Sequence, residues 1–175
     1  MSDSTRLFFA LTPPAALQQT LVNWRASQFS ADIGRPVAAA NLHLTLAFSG
    51  EVSGKKQAAL IAQASRIRQP RFQLTLDDAG HWLRSGVVWL GPARAPRGLL
   101  QLAALLRARC ARAGCPQSPQ PFHPHITLLR QVQTKISLPA PGFSWQFAVT
   151  HFTLYSAGFS QGRTRYQALQ HWTLD

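Results

Sequence analysis

The sequence predicts a single bilobal domain of mixed α and β structure over residues 1–175, built from a duplicated unit. Each half runs strand, helix, loop and then a strand bearing His-x-Thr-Leu, at 43–46 in the first half and 125–128 in the second. The spacing repeats as well, with 34 positions from Phe9 to His43 and 36 from Trp89 to His125. Repetition on that scale predicts two copies of one supersecondary unit facing each other. No long linker divides the copies, so they read as intertwined lobes of one domain.

Thr5–Leu11 is a short apolar run and reads as a strand. Thr12 is placed to cap the helix that follows. Pro13 and Pro14 sit where an opening turn tolerates them, and Leu17, Leu21 and Trp24 recur at helical spacing. After a polar loop through Gly34-Arg35-Pro36, residues 41–48 alternate. Leu42, Leu44, Leu46 and Phe48 fall on one face, and His43, Thr45 and Ala47 on the other. Ser53 opens a second helix through Gln69, carried by Leu60, Ile61, Ala64 and Ile67. Phe72–Leu76 alternates as a strand before a turn at Asp77-Asp78-Ala79-Gly80, and Gly86–Leu90 is strand-like again. A third helix from about Pro96 to Ala113 aligns Leu99, Leu102, Leu106 and Cys110 in one stripe, with Gly114 as its terminator. His125–Leu129 is the second motif strand, and 147–156 and 165–174 read as two closing strands around a turn marked by Gly158 and Gly162.

Composition excludes several classes. With 46% hydrophobic and 10% aromatic residues, the chain has ample apolar surface to bury and is not a disordered tail. No apolar run approaches the roughly 20 residues of a membrane helix, and the N-terminus lacks the pattern of a secretory leader. Cys110 and Cys115 are too few for a disulfide scaffold and are not spaced as C-x-x-C, so both read as free thiols in a reducing cytoplasm. Charge is the unusual quantity. Eighteen Lys and Arg against 6 Asp and Glu give a net +12. Residues 1–88 carry 9 basic and 5 acidic residues, whereas 89–175 carry 9 basic residues and only Asp175. Such an excess predicts a polyanionic partner, nucleic acid above all, because each neutralised phosphate releases counterions. Solubility alone is the competing explanation.

Six His and 11 Thr predict about 0.4 His-x-Thr strings by chance, the kind of count that a pattern needs. There are four, beginning at His43, His125, His151 and His171. Thr- and aromatic-rich strands generate such strings readily. Only the first two occupy equivalent places in the repeat, and His151 and His171 therefore read as partly exposed strand histidines with structural roles. On a strand, residues i and i+2 share a face, so His43 with Thr45 and His125 with Thr127 each present an imidazole beside a hydroxyl. Imidazole, with an ordinary pKa near 6.5, exchanges protons at neutrality. Two of them flanking one phosphorus suit in-line displacement, one deprotonating water and the other protonating the departing alkoxide. No metal is required. His123-Pro124-His125 has no acidic or Cys ligand nearby and makes a poor clamp, so zinc is not expected.

The paired strings His43-Leu44-Thr45-Leu46 and His125-Ile126-Thr127-Leu128 resemble the twin signatures of the two-histidine (2H) phosphoesterase superfamily. With RLFFAL, GRPVAAANLHLTLAFSGEV, LTLDDAGHWLRS, VVWLG, PRGL, PFHPHITLLR, FTLYSA and GRTRY, nearly the whole chain resembles the bacterial RNA 2′,3′-cyclic phosphodiesterase (2′-5′ RNA ligase) family within it. The resemblance implies a pseudo-twofold α+β fold, with two curved antiparallel sheets, helices outside and a central cleft lined by both motifs. It implies hydrolysis of RNA 2′,3′-cyclic phosphate ends to a 2′-phosphate without cofactor or metal. Joining of such an end to a 5′-hydroxyl through a 2′-5′ linkage is implied too. It places the proton donor on His43 and the proton acceptor on His125, with Thr45 and Thr127 on the non-bridging oxygens. The residues themselves leave open which imidazole is acid and which is base. The strings at 151 and 171 are not part of the family pattern.

Two further residues are candidate substrate contacts. Arg130 ends the second motif strand, although a regular strand would point it away from His125 and Thr127. Phe9, in the first repeat strand, would stack on a base, against the core position such a residue ordinarily holds. Arg107, Arg109 and Arg112 form a solvated helix face, with tracking of an RNA backbone as the second reading. The expected partner of this protein, read as a cytoplasmic monomer away from membranes, is its substrate, RNA bearing 2′,3′-cyclic phosphate ends, tRNA-type fragments among them. The competing class is a basic RNA-binding module that keeps the cleft and performs no chemistry.

Overall fold

Strand β1 (Thr5–Leu11) leads into helix α1 (Ala15–Gln28), a two-residue strand β2 (Arg35–Pro36) and a 3-10 turn at Ala39–Asn41. Strand β3 (Leu44–Val52) and helix α2 (Gly54–Ala64) complete the first half. Strands β4 (Phe72–Leu76), β5 (Asp78–Trp82) and β6 (Val87–Gly91) precede helix α3 (Arg97–Arg112) and strand β7 (Ile126–Arg130). Strands β8 (Trp145–Val149), β9 (His151–Ser160) and β10 (Arg163–Thr173) close the chain. The structure is a computed structural model and describes residues 5–175; the reading of residues 1–4 lies outside them.

Every strand pairing is antiparallel, and the fold is α+β as expected. One sheet of eight strands runs β10-β9-β1-β3-β7-β6-β5, with β2 added on β7, and β4 pairs β8 in a second sheet. The centre of the large sheet is palindromic. Leu11 pairs Leu44, Leu44 pairs Ile126, and Ile126 pairs Leu90, so one row of apolar residues crosses β1, β3, β7 and β6. The pseudo-twofold axis passes between Leu44 and Ile126. All four residues of the row are at most 1% exposed, and burying a leucine this fully stabilises by about 1.5–3 kcal/mol. Helices α2 and α3 pack behind β3. The predicted α3 stripe of Leu99, Leu102, Leu106 and Cys110 is buried there. The helix ends in a Schellman turn, with Cys115 N donating to Cys110 O at 2.9 Å and Gly114 at φ +92°.

Several local expectations change. Thr12 does not cap α1; its Oγ1 shares a 2.6 Å hydrogen bond with the Tyr155 hydroxyl, and Pro14 occupies the N-cap position without a side-chain bond. Ser53 does cap α2, accepting from Lys56 N at 3.3 Å, but that helix stops at Ala64. Asp78–Gly80 is strand, not turn: it opens β5, which pairs β6 across a turn closed by Gly86 at φ +76°. The 147–156 run divides at Thr150 between β8 and β9, which belong to different sheets. The hairpin from β9 to β10 turns at Gln161 and Gly162, both with positive φ, as the twist of a two-residue hairpin demands.

Candidate active site

His43 and His125 lie one residue before β3 and β7, where the two strands meet at the pair Leu44 with Ile126. In antiparallel register that pairing sets His43 toward Thr127 and Thr45 toward His125. All four side chains line one cleft of about 670 Å³. The twin motifs are therefore one site, assembled across the pseudo-twofold axis.

Each imidazole is pinned the same way. His43 Nδ1 lies 2.7 Å from Asn41 O, and His125 Nδ1 lies 2.7 Å from His123 O. A carbonyl only accepts, so Nδ1 carries the hydrogen and Nε2 keeps its lone pair. Phe8 packs on the His43 ring at 4.9 Å between centroids, and Tyr166 meets it edge-on at 4.9 Å. Trp82 meets the His125 ring edge-on at 4.7 Å. Burial lowers the His43 pKa to about 4, assisted by the charges of Arg130 and His125 and opposed by the Asn41 hydrogen bond. Burial lowers the pKa of His125 too, with His123 and Arg130 adding to it and the hydrogen bond to His123 O opposing. Both rings are neutral in the free protein at pH 7.

A β-bulge decides which other residues reach the cleft. Between β6 and β7, Trp89 pairs Thr127 but Val88 pairs Leu129, so Leu128 is an extra residue on β7. The insertion reverses side-chain parity: Leu128 and Leu129 are both buried, and Arg130 emerges on the cleft side with Thr127. The parity objection to Arg130 is thereby removed. The first half repeats the device. Ala10 pairs Thr45 while Phe9 pairs Ala47, making Leu46 the extra residue of β3. Contrary to the alternation read from sequence, Ala47 is buried and Phe48 is 64% exposed and lines the cleft. Phe48 is the counterpart of Arg130.

Phe9 is a correction. It is 1% exposed and packs on Phe152 at 6.3 Å and Trp172 at 5.8 Å, on the face turned away from the cleft. The neighbouring Phe8 is the one that lines the cleft. Among the α3 arginines, Arg107 reaches the cleft with its guanidinium 5.1 Å above the Phe122 ring, whereas Arg109 donates to Gln63 Oε1 at 3.2 Å. The sequence reading missed Phe8, Phe48 and Tyr166. Alternation along β1 marks Phe8, but nothing local marks Tyr166, which arrives from β10. His151 and His171 stand outside the cleft, exposed on β9 and β10.

A pseudo-symmetric antiparallel frame that presents two pinned imidazoles and two hydroxyls to one cleft defines a two-histidine phosphoesterase. The chain belongs to the 2′-5′ RNA ligase superfamily, whose family profile matches residues 13–158. The RNA 2′,3′-cyclic phosphodiesterase of Escherichia coli K12 is 59% identical over 174 residues, covering 99% of both chains. The enzyme of the same name from Thermus thermophilus is 28% identical, covering 97% of this chain and 90% of its own. Among solved structures, E. coli LigT complexed with 3′-AMP superposes with a TM-score of 0.94 at 59% identity, covering 98% of each chain.

Proposed function

We propose that the protein hydrolyses RNA 2′,3′-cyclic phosphate ends to 2′-phosphates by proton transfer between His43 and His125. The observation that carries this reading is the matched pinning of both rings at Nδ1 by backbone carbonyls, which leaves Nε2 of each to the reaction, with both histidines and both threonines lining one cleft. Water attacks the phosphorus in line and gives its proton to His125 Nε2. The bond to the 3′-oxygen breaks, and His43 supplies the proton to that oxygen. Thr45 and Thr127 donate to the non-bridging oxygens. His43 must bring a proton to a site that disfavours it, and the anionic phosphate between the rings offsets that cost by its own charge. The assignment of donor and acceptor follows the family pattern. Joining a cyclic end to a 5′-hydroxyl is the same displacement with an alcohol in place of water.

The substrate is an RNA end, tRNA-type fragments included, held by Arg6, Arg107 and Arg130 around the cleft. We read the chain as one domain of two interlocked halves acting as a monomer, and the two buried free thiols fit a reducing cytoplasm. The test is incubation of an RNA carrying a 2′,3′-cyclic end with the protein in excess chelator. A 2′-monophosphate is expected, and His43→Ala or His125→Ala should each lower turnover by about 10²–10⁴-fold. A 3′-monophosphate would reverse the leaving group, and absence of product with salt-sensitive binding would return the protein to the RNA-binding class.

A further inference from the structure

The two His-x-Thr strings left outside the cleft are also brought together. Antiparallel register pairs His151 with Thr173, Phe152 with Trp172, and Thr153 with His171. This is the arrangement of the first site, where the central residues Leu44 and Ile126 pair and each histidine opposes the other strand's threonine. Phe152 and Trp172 stack at 5.1 Å on the core side. On the other side, the His151 and His171 rings stand 5.8 Å apart, edge to face. Together with Thr150, Thr153, Thr173 and Arg71 they line a separate cavity of about 340 Å³.

The chemistry of this lining is one-sided. It offers two imidazoles, three hydroxyls and a guanidinium, and no carboxylate. Arg71 is held in place by donation from its Nε to Leu174 O at 3.2 Å and from its backbone N–H to Asp175 O at 3.1 Å. Asp175 follows two residues after Thr173 and is the nearest acid in sequence. We propose that this second His–Thr quartet is a binding site for a phosphate group. It differs from the His43–His125 pair in two respects: His151 Nδ1 meets the Thr150 hydroxyl at 3.1 Å instead of a backbone carbonyl, and both rings are exposed. The site binds an oxyanion without the half-buried imidazoles, pinned by backbone carbonyls, of the main cleft.

Its position names the source. Ala10 pairs Thr45 on one side and Thr153 on the other, so Thr45 and Thr153 share a face of the sheet two strand spacings apart, about 10 Å. The centre of the quartet, between β10 and β9, lies three strand spacings from that of the main site, between β3 and β7, about 14 Å, which a phosphodiester about two nucleotides upstream of a cyclic end spans. This assignment to an RNA strand rests on the proposed function; the phosphate site itself does not.

Two arms test it. Inorganic phosphate, titrated into the protein, should shift the imidazole resonances of His151 and His171, and still do so in a His43→Ala/His125→Ala variant. In the kinetic arm, His151→Gln/His171→Gln should raise KM for a cyclic-ended oligonucleotide by about tenfold or more, the loss of at least one hydrogen bond to charge. Its kcat, and its turnover of a cyclic mononucleotide that has no upstream phosphate, should not change. Arg71→Gln should reproduce the KM effect from outside the two strands. Shifts without a KM effect support the site and assign it to free phosphate. Absence of shifts, with KM unaltered, overturns the proposal. Failure of the unaltered protein to hydrolyse either substrate would instead overturn the reading of the main cleft, and the resonance arm would still decide this one.

Discussion

A histidine half-buried against Phe8 and Tyr166 holds its proton weakly, and this fixes the expected pH behaviour of the site. In the free protein both imidazoles lie below the ordinary value, His43 at about 4. The proposed mechanism needs one ring protonated and one neutral, so kcat/KM should peak between the two ionisations, on the acid side of 6.5. Above the higher value it should fall about tenfold per pH unit. The profile of kcat should lie at higher pH, because the bound anion strengthens proton binding. A kcat/KM still climbing at pH 8 would contradict the pairing. Thr45→Val and Thr127→Val each remove one hydrogen bond to a charged oxygen, worth about 1.5–3 kcal/mol, or roughly ten- to hundredfold in turnover. Steady-state kinetics on a cyclic mononucleotide measure that loss directly.

At the scale of elements, bulges and close approaches do what local alternation does not reveal. Arg130 and Phe48 reach the cleft because one extra residue on each motif strand reverses parity. Strand β5 was hidden behind a turn-like Asp-Asp-Ala-Gly string because its partner β6 and the closely fitted Trp89 determine its conformation. Gly80 pairs Trp89, and a Cβ there would collide with the indole. Trp89 in turn packs edge-on against His123 at 4.9 Å, whose carbonyl pins His125. Gly80→Ala should therefore destabilise by about 1–3 kcal/mol. Calorimetry would record that as a melting temperature lower by several degrees. Activity at temperatures where the variant is folded should fall as well, through displacement of His125. An unchanged melting temperature would show that the indole yields freely.

For the whole molecule, the net +12 acquires a location. Three arginines line the cleft, and Arg107 and Arg130 come from the half with one acid. If these three neutralise phosphates of a single strand, KM for a cyclic-ended oligonucleotide should rise with salt at a log–log slope of about 2. Arg107→Ala should reduce that slope by about 0.7. Fluorescence or kinetic titration over moderate salt measures it, and a slope near zero would remove the arginines from the binding path.

The sequence by itself determined the duplication, the helix stripe of α3, the pairing of His43 with Thr45 and of His125 with Thr127, and the family. These rest on local periodicity and on a repeat, both of which survive in one dimension. Only the tertiary structure decided that Phe8 and not Phe9 faces the cleft, that Arg130 points inward, and that Tyr166 closes over His43. It alone brought the strings at 151 and 171 into a second quartet. The physical reason is common to all four. Strand register, bulges and the meeting of distant strands are set by hydrogen bonds between segments far apart in the chain, which the spacing of residues along any one segment does not encode.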